Sequence, residues 1–278
     1  MKQKIGSKIL NYIITILVIA IILFPIIWML PAAFKSKREI WQLPNTFFPK
    51  KFTLANFDKI FNLKHNGYNF INSLLATILV ALISVVGSLA VNMIAAFVFA
   101  RLEFRGKKFL WVYFLATMFI PGITILLTSI RVVSWLHMTD TIWVLILPGL
   151  VSGYNIFFFR QFYLGLPASL EEAAAIDGCK PFGIFLRIFL PMSVTPMVII
   201  GVSTFMGYWN SFMWPTLTII NNSSIAQVMQ VIRVLKTSYS GEYGIVIAAT
   251  LLAIAPPLIV FAIFQKKIVA GIAISGLK

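Results

Sequence analysis

Glu171, Glu172 and Asp177 place three of the chain's eight acidic residues within seven positions, in the stretch SLEEAAAIDG from Ser169 to Gly178. The chemistry this spacing predicts is helix capping rather than catalysis. Ser169 caps a helix through its hydroxyl, Glu172 stands at the capping-box position three residues on, and both glutamates suit the positive end of the helix dipole. Ala173, Ala174 and Ala175 continue the helix with a low, smooth surface that another backbone can approach closely. Gly178 ends the helix at C′ and Pro181 opens a second one, so the segment reads as a helix-turn-helix elbow.

The other reactive side chains do not assemble into a site. Cys179 is the single cysteine, and neither His65 nor His137 has a cysteine or acidic cluster at metal-ligand spacing, so no metal or redox centre is expected. The apolar runs offer no acidic pair and no Ser/His arrangement, and the connections hold no spacing that would build one. A phosphate loop is also missing: Gly106-Lys107 lacks both the upstream glycine and the following Ser/Thr. The chain is therefore read as a non-enzyme that binds no cofactor, and any ATP that drives it belongs to another subunit.

The elements that carry these residues are set by a bilayer. Of 278 residues, 60% are hydrophobic and only 11% charged, against about a quarter charged in soluble domains. Six apolar runs follow one another, at about 9–30, 69–100, 109–130, 142–159, 192–212 and 244–264, which predicts an all-α polytopic membrane protein, a single transmembrane domain over 1–278. The first run is 22 residues long, beyond the roughly 7–15 of a signal-peptide core, so it reads as an uncleaved first span. All 31 charged residues and both histidines fall in the connections. Proton coupling and voltage sensing, which need ionisable groups inside the bilayer, are disfavoured; sodium coupling through carbonyls and hydroxyls stays open. The net charge of +15 lies beside the spans, where anionic lipid headgroups rather than nucleic acid are the nearer partner.

Pro121-Gly122, Pro148-Gly149, Pro196 and Pro256-Pro257 interrupt four of the runs. Breaks of this kind are either ordinary kinks or the walls of a path across the membrane. Six spans put both termini on one side, and cytoplasmic termini give thirteen basic residues inside against ten outside. That margin is thin, since Lys35, Lys37, Arg38, Lys50, Lys51, Lys59 and Lys64 all fall in the first outer connection, so charge leaves orientation open.

Glu172, Ala173, Ala174, Gly178, Ile188, Leu190 and Pro191 match all seven positions of the pattern E-A-A-x-x-x-G-x9-I-x-L-P. The chain thereby resembles the membrane subunits of ABC importers, whose EAA loop carries this pattern before the penultimate span. FFFRQFYLGLP (157–167), YWNSFMWP (208–215), FARLEFRGKK (99–108), FKSKREI (34–40) and the tail QKKIVAGIAISGLK are similar to the smaller six-span permease of the carbohydrate, maltose-type group. The resemblance implies a cytoplasmic EAA loop between the fourth and fifth spans, both termini cytoplasmic, and a bacterial plasma-membrane location. It implies a heterodimer with a second permease, two ATP-binding subunits holding ATP and magnesium, and an extracytoplasmic solute-binding protein facing the polar connection Met213–Tyr243.

On that resemblance Glu172, Ala173, Ala174 and Gly178 make the ATPase contact, with Glu171 and Asp177 as polar neighbours. A neutral sugar needs amides, hydroxyls and aromatic faces rather than charges, which points to Asn155, Tyr208, Trp209 and Asn210, and with less weight Asn92. Interhelical hydrogen bonding and interface anchoring are the competing roles for the same side chains. The function expected is passage of a carbohydrate, an oligosaccharide by the resemblance. A permease for another small neutral or polyol-type solute, or an ion-coupled carrier, is the alternative.

Overall fold

The computed structural model describes residues 5–63 and 67–275, with side chains for 8–63 and 67–269. Lys2, Lys4, Lys64, His65 and Lys278, used above, lie outside the described residues. Within them every regular element is a helix. In chain order, α1 (Ile5–Ala32) is followed by the short α2 (Lys37–Trp41) and α3 (Ala55–Phe61), then by α4 (Phe70–Arg101). Next come α5 (Lys107–Thr117) and α6 (Gly122–Trp135), bent by 102° at their junction. α7 (Ile142–Ile146) and its 3-10 turn to Gly149 meet α8 (Gly153–Leu164) at 43°. The elbow helix α9 (Ser169–Ile176) leads to α10 (Pro181–Ile184), a π-turn over Phe185–Phe189, α11 (Leu190–Met192) and, after a 78° bend, α12 (Val194–Trp209). α13 (Met213–Thr218), α14 (Val228–Ser238) and α15 (Tyr243–Ser275) complete the chain.

α1, α4 and α15 are each long and apolar enough to cross a membrane, and counting each of the three bent pairs as one span brings the number to six. α4, at 32 residues, is about 48 Å long at about 1.5 Å per residue, against a hydrocarbon core of about 30 Å. That surplus corrects the sequence reading. The helices outrun the apolar intervals, so that Arg101, Arg131 and Arg160 stand on α4, α6 and α8 rather than in connections. Hydropathy marks only the lipid-length portion, whereas the backbone stays helical as long as its hydrogen bonds continue and arginine is a good helix former.

The proline expectations divide. Pro121 does break its span: it is the extended N-cap of α6, with no donor to give α5. The fifth span bends at Ser193, not at Pro196, because Pro196 sits in the first turn of α12, where an N–H has no acceptor anyway. Pro256 and Pro257 lie inside α15, which runs on through them. The connection Met213–Tyr243 is no open loop; it folds into α13, a 3-10 turn at Ser223–Ile225, and α14.

The chain forms two compact units. The first comprises Met1–Phe70 and Val231–Ala255. Its α1 exposes apolar side chains from Ile9 to Leu30, as a lipid-facing helix does. Beyond α1 the polypeptide is tied down by buried polar groups: Lys35 donates to Asn45 Oδ1 at 2.9 Å and to the Thr46 carbonyl, and Asn56 Nδ2 donates to the carbonyls of Ala33 and Lys35 at 2.8 and 2.9 Å. Lys59 hydrogen-bonds Glu242 at 2.6 Å, which holds that carboxyl below its ordinary range.

The second unit comprises Ile71–Gln230 and Pro256–Lys278. Along α4, the buried Ser73, Thr77, Ala81, Ser84, Ser88, Asn92 and Ala96 recur at helical spacing and make a small-residue face that admits close helix packing. Asn92 is its cross-link: Nδ2 donates to the carbonyls of Ser88 (2.6 Å) and Leu150 (2.8 Å), and Oδ1 accepts from Ser152 N at 2.9 Å. It thereby ties α4 to the break between α7 and α8. A core of Phe97, Phe159, Tyr163, Phe185, Phe189 and Ile200 packs α4, α8, the π-turn and α12 together.

Candidate functional site

A cavity of about 540 Å³ lies within the second unit. α12 contributes most of one wall. Thr204 and Tyr208 follow at four residues, with Ser203 and Gly207 alongside and Ser211 just past the helix end, so hydroxyls line this side of the space. Facing it are Ser88 of α4, Ser129 of α6, Ser152 at the N-cap of α8, and Tyr154 and Asn155 of α8. Trp214 and Pro215 of α13, together with Gln227, complete the polar and aromatic lining. None of the lining residues is ionisable except Tyr154 and Tyr208, both phenols.

The lining is held from behind. Tyr208 Oη donates to the Ile146 carbonyl at 3.2 Å, and Trp214 Nε1 to the Val144 carbonyl at 2.8 Å, so the α7 backbone positions both rings. Tyr208 lies against Gly149: a Cβ there would meet the phenol oxygen, so a larger residue requires the Tyr208 ring to move. Asn155 is less committed. Its Nδ2 reaches Ser88 Oγ and Thr204 Oγ1, each at 3.5 Å, the long limit for a hydrogen bond, so a bound hydroxyl displaces these contacts at little cost.

The four path residues expected from sequence therefore divide. Asn155 and Tyr208 line the cavity. Trp209 does not; it is 2% exposed and stacks on Phe205. Asn210 caps the end of α12 and is exposed. Successive helical residues point about 100° apart, so once Tyr208 faces the cavity its two successors face elsewhere. Asn92, given less weight, is buried behind the cavity wall as a cross-link. Sequence reasoning missed Ser88, Ser129, Ser152, Ser203, Thr204 and Ser211. The stripe of small polar residues at helical spacing in the fifth run was the signal that would have found three of them. Trp214 and Gln227 carried no such signal, since the polar connection around them read as a loop.

Beyond α13 the chain is clasped by Asp140. Its Oδ1 accepts from the backbone N–H groups of Ile220 (2.6 Å), Asn221 (2.8 Å) and Asn222 (3.2 Å), and Oδ2 accepts from Asn221 Nδ2 at 3.0 Å. Partial burial alone would raise this carboxyl's pKa, but the four donors together outweigh it and hold the pKa below its ordinary value. A depressed carboxyl contributes stability above the unfolded pKa and loses it as pH falls through the folded one. Thermal unfolding of the purified protein should accordingly hold steady from neutral pH to about pH 4 and fall below it. In Asp140→Asn that acid-side fall should shrink, and the midpoint at neutral pH should lie lower because one acceptor oxygen is gone.

The elbow differs from expectation at its start and agrees at its end. Ser169 is the first residue of α9 rather than a side-chain cap. Ala168 is already helical, and the N–H groups of Leu170, Glu171 and Glu172 go to the carbonyls of Pro167 and Ala168. At the other end Gly178 has φ 78°, its N–H bonds the Ala175 carbonyl at 3.0 Å, and Cys179 N–H bonds the Ala174 carbonyl at 2.9 Å. This is a Schellman closure, and Pro181 does open α10. Glu172, Ala173, Asp177 and Gly178 are exposed, as are Ala175 and Ile176 between them. Ala174 packs inward on the aromatic core, and Glu171 turns to Arg101 at 2.8 Å.

Comparison with known proteins accords with this architecture. The arabinooligosaccharides transport system permease protein AraQ of Halalkalibacterium halodurans is 30% identical over 100% of both chains. A probable ABC transporter permease protein, YurM of Bacillus subtilis, is 32% identical over 92% of this chain and 84% of its own. The sn-glycerol-3-phosphate transport system permease protein UgpE of Escherichia coli is 32% identical over 95% of each. The fold is shared with a chain of a bacterial ABC transporter involved in the import of the acidic polysaccharide alginate: TM-score 0.80, 21% identity, covering 96% of this chain and 99% of that one. A family profile described as binding-protein-dependent transport system inner membrane component matches residues 92–273. With that match and these relatives, the chain belongs to the binding-protein-dependent transport system inner membrane components, the membrane-embedded permeases of ABC transporters, which are transport subunits rather than catalysts.

Proposed function

We propose that this permease passes a neutral carbohydrate, with an oligosaccharide as the first choice, through the cavity described above. The observation that carries the reading is the lining: hydroxyls, amides and aromatic faces set among aliphatic side chains such as Val80, Ile125 and Leu145, with no Lys, Arg, His, Asp or Glu among them. A neutral polyol chain is matched by such groups, since each hydroxyl finds donors and acceptors and each sugar face finds a ring. AraQ is named for arabinooligosaccharides, which is in keeping with this choice. UgpE is named for a phosphorylated polyol. A phosphate dianion in a cavity without cations is poorly compensated, so that reading ranks second.

The chain works as one half of a permease heterodimer, with two ATP-binding subunits that hold ATP and magnesium and an extracytoplasmic binding protein that delivers the sugar. The exposed side of α9 and its closing turn, with Glu172, Ala173, Asp177 and Gly178, is the surface on which an ATP-binding subunit docks, and both termini are cytoplasmic. The chain itself supplies no cofactor and no hydrolysis.

The test is uptake into vesicles containing the assembled importer, across neutral saccharides of one to four units and a phosphorylated polyol. Asn155→Leu should raise the KM for the transported sugar about tenfold with little change in assembly, the equivalent of about 1.4 kcal/mol for a lost hydrogen-bonding group. Preferential import of the phosphorylated polyol, or an Asn155→Leu variant indistinguishable from wild type, would overturn the neutral-carbohydrate path.

A further inference from the structure

Arg101 is the last residue of α4, and its side chain is only 11% exposed. One guanidinium there holds three other elements. Nη1 pairs with Glu171 Oε1 in the first turn of α9 at 2.8 Å. Nη2 donates to the carbonyls of Tyr163 and Leu166, both at 2.6 Å, at and just past the end of α8. The cation also lies over the Phe189 ring of the π-turn, with Cζ 5.3 Å from the centroid. The last carbonyls of a helix have no intrahelical donor and carry its negative dipole end, so a cation is well suited to them. Only arginine offers a planar fork with enough donors to reach a carboxylate and two carbonyls at once. Among the described residues Nε has no acceptor.

We propose that Arg101 is a positioning residue that makes α9, the end of α8 and α4 move as one piece, so that displacement of the elbow reaches the cavity wall. The inference rests on the coupling role given to α9 above and extends it. It divides the two adjacent glutamates: Glu172 faces outward to the partner, and Glu171 faces inward to Arg101. α4 is unbroken from Phe70 to Arg101, and Ser88 in the cavity lining stands on it about 20 Å along the axis at about 1.5 Å per residue. A push on α9 is therefore delivered to a rigid rod that carries part of the lining. The link depends on a charge-assisted fork, which an ammonium cannot reproduce at three acceptors.

The experiment uses the complete importer in nanodiscs and vesicles and reads sugar imported per ATP hydrolysed. Arg101→Gln and Glu171→Ala should lower that ratio at least fivefold while hydrolysis continues. Glu171→Gln should retain most of it, since its amide oxygen still accepts from Nη1, and Arg101→Lys should not. Equal loss of import and hydrolysis, with the ratio unchanged, would mean that Arg101 only holds the fold and would overturn the proposal. A second measurement stands apart from transport. Spin labels at the exposed Ile176 of α9 and Val86 of α4, in a Cys179→Ser background, should give one narrow distance with Arg101 present and a broadened distribution in Arg101→Gln. Identical narrow distributions would overturn the clamp. A wild-type complex that keeps the narrow distance yet couples no import to ATP would instead overturn the transport reading and leave the clamp standing.

Discussion

Replacing Glu172 with alanine and Gly178 with aspartate is expected to lower ATP-driven import by at least tenfold while the permease still folds and inserts. Folding should survive because both positions are exposed and nothing lies within 4 Å of a Cβ built at Gly178. The cost there is conformational, since φ is 78°; it amounts to about 1 kcal/mol for a non-glycine residue, and aspartate is among the side chains that tolerate this region best. Docking should not survive. The variant removes the exposed carboxylate at the start of α9, strains the turn that closes it, and adds a charge at that turn. The measurement is sugar-stimulated ATP hydrolysis together with uptake, on complexes matched for subunit content. Unchanged uptake and hydrolysis would sink the proposed coupling surface; unstimulated hydrolysis with lost uptake would support it.

Asn92→Ala should destabilise the protein by about 2–4 kcal/mol, the largest stability effect expected of any single polar truncation in the second unit. The side chain is fully buried, donates to the Ser88 and Leu150 carbonyls, and accepts from Ser152 N–H. The Ser88 carbonyl keeps its place in the α4 ladder, but Leu150 and Ser152 flank a break between α7 and α8 and have no such fallback. Leaving a buried donor or acceptor unpaired costs about 1–3 kcal/mol each. The break also carries Gly149, against which Tyr208 is packed, so the cavity wall should loosen with it. Thermal unfolding in detergent gives the stability change, and the KM for sugar reports the wall. A midpoint within a degree of wild type would show that Asn92 is dispensable as the tie between α4 and α8.

Much of this architecture was legible because bilayer length and the absence of charge in six apolar runs leave few alternatives to a helical membrane protein. The elbow was legible for a different reason. Gly178 and Pro181 act locally, through the φ value one needs and the donor the other lacks, so their sequence positions already predicted a C′ turn and a new helix. Ser169 misled because a cap is a competition: Pro167 and Ala168 supplied backbone acceptors first, and the hydroxyl was not needed.

The sequence by itself determined that the chain crosses a membrane as helices, that its spans carry no charge along their apolar intervals, and that an elbow precedes the fifth span. Those conclusions follow from composition and short spacings, which act over a few residues at a time. Tertiary structure alone decided which uncharged side chains face a common space. It chose Asn155 and Tyr208 over Trp209 and Asn210, brought Trp214 and Gln227 in from a connection, and turned Glu171 inward to Arg101, seventy positions earlier. A side chain's direction depends on helix phase, on where each span bends and on which partner lies across the gap; residue type marked only some of the bends, such as that at Pro121, and neither of the other two.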